Sequence, residues 1–414
     1  MKEHVKTAVL ILLVSTSLYF SYTLWTSFPQ KSFFMTKSTP VSADISDILR
    51  PSSVIIESSG TSVDITSSND INSVWMSTTK LLKEIKDTAL SQLSKNDLNH
   101  KGDFVHIYFG KGITDDLLKN ALKLSDSPIL KIGQDSLVKE IIIKLGAKSQ
   151  IIFTDYNSYY AIDLKDSSYF LSLINKQFQS SMNYSITTTG DVYGENTFAV
   201  KSFPLKRYAN KGFENDTVYR TITKNVFVNI SVVREIKENN GSYIYTDGVR
   251  GLRLYKNGLI EYFDTTTTSS KLTFGRVESL DKAVEFIKAL GIDEKNVYLT
   301  SVSGSSGDYS FAFNYDYDYP VYALRNGDIK EPIYVYVSNG TIKSAIVNYM
   351  DIYYAGEYNS GFYDISKLLK GHKLDDVQFI GMVYVFDGNE LIPAWHVKTQ
   401  TNEYFFSALD GKIM

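Results

Sequence analysis

Apolar residues run almost unbroken over 7–25 (TAVLILLVSTSLYFSYTLW), and no later stretch matches that density. The stretch carries no charge, and its polar members are Ser, Thr and Tyr, whose hydroxyls bond back to a helix backbone or sit near headgroups. About 20 apolar residues suffice for a helix to cross a hydrocarbon core of about 30 Å. Lys2 and Lys6 precede the run, Trp25 sits where an interfacial aromatic belongs, and Pro29 stops the helix. The pattern predicts a cytoplasmic tail over 1–6, a single transmembrane helix over 7–27 and an extracytoplasmic linker over 28–47. A cleaved signal peptide wants small residues soon after the apolar core, and Ser27-Phe28-Pro29 stands there instead. A lipoprotein needs a cysteine, and the chain has none.

Past residue 47 the apolar period alternates between two and about three and a half. Over 48–184 it predicts an α/β domain: strands at 49–56, 104–109, 149–154 and 159–163, with helices at 72–93, 114–122, 137–145 and 167–178, the β-branched run at 137–145 leaving a strand open there. Thr114 is the expected N-cap of the second helix, with Asp115 and Asp116 at its positive end. Over 185–275 the pattern is β-rich, running through 198–203, 217–223, 242–248 and 252–262. Asn257-Gly258 between alternating runs is a strong hairpin signal. Over 276–414 a helix at 280–290 precedes strands at 297–302, 309–314, 321–324, 333–337 and 342–349. A helix at 365–369 then precedes strands at 377–386, 391–399 and 403–409. Helix followed by antiparallel meander, twice, is an α+β arrangement with an internal repeat. The expected class is therefore α+β: one membrane helix, an α/β first domain and two β-rich domains.

Composition sharpens this. The 30 Tyr and 23 Phe favour strands and point to partly exposed sheets. Net charge is −3, with 43 basic and 46 acidic residues well mixed, so no basic stripe for nucleic acid appears. The absence of cysteine excludes disulfides, thiolate zinc sites and cysteine catalysis.

The search for chemistry returns little. None of the five histidines (His4, His100, His106, His372, His396) is spaced as a metal pair. Ser303-Gly304-Ser305-Ser306-Gly307 is one residue short of a nucleophile elbow and joins strand to strand, so it reads as a loop. Gly110-Lys111-Gly112 lacks the upstream glycine of a phosphate loop and reads as a turn. Asp163, Asp166, Glu261 and Asp264 offer carboxylates but no fixed spacing. The run from Asn314 to Pro320 (NYDYDYP), taken as a strand, puts three tyrosines on one face and Asn314, Asp316 and Asp318 on the other. Calcium, a stacked ligand, or a solvated sheet face each suits it, the last best. No catalytic residue, cofactor or metal ligand emerges.

The chain resembles the YycH family, membrane-anchored regulators of the WalK–WalR (YycG–YycF) two-component system of Gram-positive bacteria. The resemblance lies in the anchor ending Leu24-Trp25-Thr26, then Arg50-Pro51-Ser52 and Tyr245-Thr246-Asp247-Gly248-Val249-Arg250. It continues through the helix at 280–290, Tyr319-Pro320-Val321-Tyr322, Ile392-Pro393-Ala394-Trp395-His396-Val397 and Ala408-Leu409-Asp410-Gly411-Lys412. The rival YycI family is shorter and lacks the first domain. The resemblance implies a non-enzymatic protein outside the membrane that acts with YycI on the sensor kinase in cell-wall control, partly through its transmembrane helix. Ser17 and Ser21, four apart and so on one helix face, are the expected contact edge. A reading from a different class is an anchored module whose tyrosine-rich sheets bind cell-wall glycan or peptide.

Overall fold

The computed structural model describes residues 6–7 and 13–21. From 45 to 414 it describes all but 59–60, 66–67, 86–89, 95–102, 123–136, 147, 165–167, 182–185, 190–196, 201–204, 214–215, 228, 268–273, 316, 359–360, 375–376 and 400. The chain forms two compact units, Met1–Val41 and Ser42–Met414. In the first, residues 13–21 are helical. Residues 8–12 and 22–27 of the expected span lie outside the described residues. Among the described residues no helix is long and apolar enough to cross a membrane.

The second unit mixes helices with a larger share of strands. It opens on a single turn, α1 (Ile45–Ile48), inside the stretch expected to be linker. The first sheet takes β1 (Ser53–Ser58), β2 (Thr61–Ile65), β3 (Ser91–Leu93), β4 (Asp103–Thr114), β5 (Leu137–Leu145), β6 (Gln150–Thr154), β7 (Tyr159–Asp163), β8 (Ile186–Thr189) and β9 (Thr197–Val200). Its order is β9-β8-β2-β1-β4-β5-β6-β7-β3, antiparallel throughout. Strand alternation assigns the faces. Val54, Ile56, Val105, Ile107, Ile141 and Ile143 form one buried face. Trp75 of α2 (Ser68–Glu84) meets Phe109 there edge-on at 5.2 Å. Helices α3 (Asp115–Leu122) and α4 (Ser168–Ser181) contact the same sheet.

Three expectations change here. The helix expected at 137–145 is strand β5. Val138, Ile141, Ile142 and Ile143 are all buried, and such β-branched residues are stiff at χ1 and fit a central strand covered on both faces. The helix expected at 72–93 ends at Glu84, and Leu93 belongs to β3. Gly110-Lys111-Gly112 is no turn but a bulge within β4, both glycines having positive φ (52° and 105°). A Cβ on Gly110 would stand 2.9 Å from the Thr300 carbonyl oxygen, so glycine is required.

On the opposite face Asp64 is 8% exposed, and its Oδ1 has no partner among the described residues. Burial pushes its carboxyl from the ordinary 3.8 up to about 7. The folded state thus holds a proton that the unfolded chain loses, so stability falls as pH rises from about 4 to 7. Asp64→Asn is expected to raise stability at pH 8 by up to a few kcal/mol, each tenfold gain in proton affinity being worth about 1.4 kcal/mol, and not at pH 4. Denaturant midpoints at the two pH values check this, and equal gains at both would refute it.

The second sheet is formed by β11 (Arg234–Lys237), β12 (Tyr243–Thr246), β13 (Arg250–Leu254), β14 (Leu259–Asp264), β15 (Val297–Ser305), β16 (Asp308–Tyr315), β19 (Ile333–Ser338) and β20 (Thr341–Asn348). Its order is β11-β12-β13-β14-β20-β19-β16-β15. The 185–275 and 276–414 segments therefore share one sheet, joined where Leu259–Phe263 meets Ser344–Asn348. The strand expected at 217–223 is inside helix α5 (Asp216–Val226). Tyr219, Ile222, Thr223 and Val226 are buried at helical spacing, so packing overrides their strand propensity. Helix α6 (Arg276–Ala289) follows, with Phe286 against Tyr262 at 4.9 Å and Gly291 (φ 85°) just past its end. The first and second sheets meet at the parallel pair Ser301–Gly112, and Arg276 Nη1 grips both Asp116 oxygens at 2.9 Å.

The third sheet takes β10 (Lys206–Asn210), β17 (Val321–Arg325), β18 (Asp328–Lys330), β21 (Ile352–Glu357), β22 (Val377–Phe386), β23 (Glu390–Thr399) and β24 (Glu403–Ser407). Its order is β18-β17-β22-β23-β10-β21, with β24 also on β23. Helix α7 (Ile365–His372) starts at Asp364, whose side chain accepts from the Ser366 N–H, and stops at left-handed Lys373. It packs over Trp395 and Phe406. The second helix-plus-meander, α7-β22-β23-β24, is continuous. The first is interrupted, because β17 and β18 leave the second sheet for the third.

Candidate functional site

Ser17 and Ser21 lie one turn apart on helical residues 13–21, and both are exposed. Around them Leu13, Val14, Leu18, Tyr19 and Phe20 are 53–68% exposed. Thr16 turns its hydroxyl back onto the Leu13 carbonyl at 2.9 Å.

The run from Asn314 to Pro320 is not one strand. β16 ends at Tyr315, residues 317–319 bend, and Asp316 lies outside the described residues. The run carries the chain from the second sheet to the third. Asn314 is 1% exposed and accepts the Val321 N–H at 2.6 Å. Asn314, from the face expected in water, is thus buried, while Tyr315, from the face expected to cover the sheet, is buried and donates to the Asn348 carbonyl at 2.7 Å. Asp318 takes Lys206 Nζ at 2.9 Å and the Tyr208 hydroxyl at 2.5 Å. Its carboxylate and the Asn314 amide are therefore committed to internal bonds. Burial, then the Asp318 carboxylate, pushes the Tyr208 phenol well above its ordinary value.

The other candidates are dispersed. Ser306 (φ 55°) and Gly307 (φ 90°) form the tip between β15 and β16, a strand-to-strand turn as expected. Asp163 in the first sheet accepts from Gln150 at 2.7 Å. Glu261 in the second accepts from the Tyr255 hydroxyl at 2.8 Å. Asp264 accepts the Thr266 N–H at 2.7 Å, and Asp166 lies outside the described residues. Among the described residues no three His, Cys, Asp or Glu come together as a metal site.

His4 and His100 lie outside the described residues, and His372 packs on Phe406 at 4.8 Å. His106 and His396 are more closely held. His106 Nδ1 stands 2.7 Å from Glu140 Oε1, and its Nε2 3.8 Å from Glu57. Burial opposes its charge, but the two carboxylates outweigh burial and lift its pKa to about 9. His396 is 2% exposed among Tyr322, Phe379 and Phe405, and burial pulls its pKa down. Sequence reasoning missed these ring partners, which lie on β17, β22 and β24 and leave no local signal.

No described protein family and no curated protein matches this sequence. The structure does find a match. The crystal structure of YycH from Bacillus subtilis aligns over 87% of this chain and 96% of that chain, with a TM-score of 0.60 at 15% identity. The chain has a YycH-like fold. The C-terminal domain of YpeB from Bacillus megaterium aligns over 48% of this chain and 95% of its own, but its TM-score of 0.29 at 11% identity carries no structural argument. Of the stretches that suggested YycH in the sequence, Leu24-Trp25-Thr26 lies outside the described residues, and two others are parts of the sheets. Residues 245–250 turn β12 into β13, where the Asp247 carboxylate accepts from Arg250 Nε at 2.8 Å and Nη2 at 2.6 Å. Residues 392–397 lie within β23.

Proposed function

We propose that this chain is a non-enzymatic, membrane-anchored regulator that associates with a WalK/YycG-type sensor histidine kinase, together with a YycI-like protein, in control of cell-wall homeostasis. The carrying observation is the YycH-like fold over 87% of the chain. Residues 7–27 are its single span, Lys2 and Lys6 keep the N-terminus cytoplasmic, and Ser42–Met414 lies outside. With lipid tails as apolar as leucine, helices associate through close packing and hydroxyl bonds. Ser17 and Ser21 supply both on one edge.

Crosslinking in membranes followed by partner identification tests the reading. A sensor histidine kinase is expected among the products, and its absence would overturn the proposal. Ser17→Leu with Ser21→Leu is expected to lower kinase recovery at least several-fold; unchanged recovery and signalling would remove the serine edge alone.

A second reading has one observation in its favour. Tyr353, Tyr354 and Tyr363 are 46%, 56% and 39% exposed, and such rings suit glycan or peptide. Retention of the protein on purified wall fragments, without kinase in the crosslinks, would favour that module instead.

A further inference from the structure

We infer that a strip of rings between the first and third sheets, from His106 through Tyr108 and Phe379 to His396, is a proton-operated contact that charge on His396 loosens. His106 and Tyr108 on β4 stack at 6.3 Å and 13°. Tyr108 meets Phe379 of β22 edge-on at 6.4 Å. Phe379 meets His396 of β23 edge-on at 5.6 Å. His396 in turn stacks on Phe405 of β24 at 4.5 Å and 6°, with Tyr322 of β17 edge-on at 5.3 Å. Phe379 thus touches a ring in each sheet. Its own ring lies over Gly381, where a Cβ would stand 2.7 Å from it.

The two histidines sit in opposite settings. His106 is an imidazolium held between Glu140 and Glu57. His396 is neutral, and its Nε2 has no hydrogen-bond partner among the described residues. The charged groups acting on it are Glu403, Lys398 and Glu331. Glu403 of β24 stands 3.8 Å from Nε2, beyond hydrogen-bond reach, and is held by Lys398 at 3.0 Å. Lys398, on the histidine's own strand, also lies 6.0 Å over the Phe379 ring. Glu331, ahead of β19, is paired with Lys111 of β4 at 3.2 Å. The phenol of Tyr322 completes the surround.

Both carboxylates already hold a lysine. A proton on His396 therefore adds a cation among three rings with no spare counter-charge. Either Glu403 swings in and loosens from Lys398, which lies over the Phe379 ring, or the His396 ring moves out of its contact with Phe379 and Phe405. The sign follows from linkage. His396 titrates lower in place than when released, so acid below about pH 6.5 favours the opened contact. His106 titrates higher in place, so its contribution is present below about 6.5 and is lost as pH rises through about 9. The strip is firmest between these limbs.

Hydrogen exchange of the full chain, corrected for intrinsic rates, reads the contact in peptides covering Tyr108 and 377–386, with α6 as internal reference. As pH falls below about 6.5, where the His106 contribution is already present, opening of these peptides is expected to rise relative to the reference. His396→Phe, which keeps a ring in the stack, is expected to abolish that rise. His106→Gln is expected to keep it and to lose the response near pH 9. Should His396→Phe not fold, Glu403→Gln serves: it removes the nearest carboxylate and moves the acid response to lower pH. No acid response in the unaltered chain, an unchanged one in His396→Phe, or an unmoved one in Glu403→Gln would each overturn the inference.

Discussion

A chain beginning at Ser42 is expected to keep its fold and to lose regulation of the kinase completely. Ser42–Met414 is a compact unit with its own cores, among them the cluster around Trp395 and Phe406. Ile48 and Leu49, which the shortened chain keeps, are 1% and 0% exposed. What the cut removes is the helix carrying exposed Leu18, Phe20, Ser17 and Ser21. On the proposed function that helix is the output, the surface through which the Ser42–Met414 unit biases the kinase. The measurement is a reporter of kinase-controlled transcription in cells exporting the shortened chain, beside its circular dichroism and thermal unfolding. Native unfolding with the reporter at the level of a deletion strain is the expected pair. A freed unit that still regulates would refute the role of the helix.

Trp395→Ala is expected to destabilise the protein by about 3–5 kcal/mol. Trp395 is fully buried, its Nε1 donates to the Tyr363 carbonyl at 3.1 Å, and Phe362 packs against it at 5.9 Å. It sits among Ile365, Leu368, Ile380 and Met382, so truncation opens a cavity between α7 and the third sheet and leaves a carbonyl short of its donor. Since domains hold only about 5–15 kcal/mol in all, this places the third sheet near its unfolding limit. Trp395→Phe keeps most of the ring and loses the donated bond, and should cost about 1–3 kcal/mol. Denaturant unfolding followed by far-ultraviolet circular dichroism measures both. Equal, small losses would show that the cluster does not depend on the indole.

Local chemistry was legible in the turns, whereas the expected N-cap Thr114 ends β4 with its Oγ1 buried and without a hydrogen-bond partner among the described residues. Asn257-Gly258 and Asn339-Gly340 make hairpins, Gly258 at φ 90° and the latter pair at 47° and 74°. Gly291 closes α6 at φ 85°. These depend on a few neighbouring residues and survive any tertiary context. Misread segments were those where a β-branched run met a helical spacing. LVKEIIIKL satisfied a helical face and became β5, while DTVYRTITKNV, rich in strand formers, became α5. In both, the deciding contacts come from elsewhere in the chain: β4 and β6 flank β5, and α6 packs on α5.

The candidate site divides the same way. The apolar run over 7–25, its serines four apart and the absence of cysteine are plain in the sequence. The path of Asn314 to Pro320 between two sheets is not, nor is the cage of rings about His396, whose members Tyr322, Phe379 and Phe405 are contributed by three separate strands. By itself the sequence determined what local pattern can decide: hairpin turns, the charge-free apolar segment and the strand-rich class. Only the tertiary structure decided which strands share a sheet, which carboxylates are already taken, and which histidine is charged, because burial and pairing join residues tens to hundreds of positions apart and no local pattern encodes them.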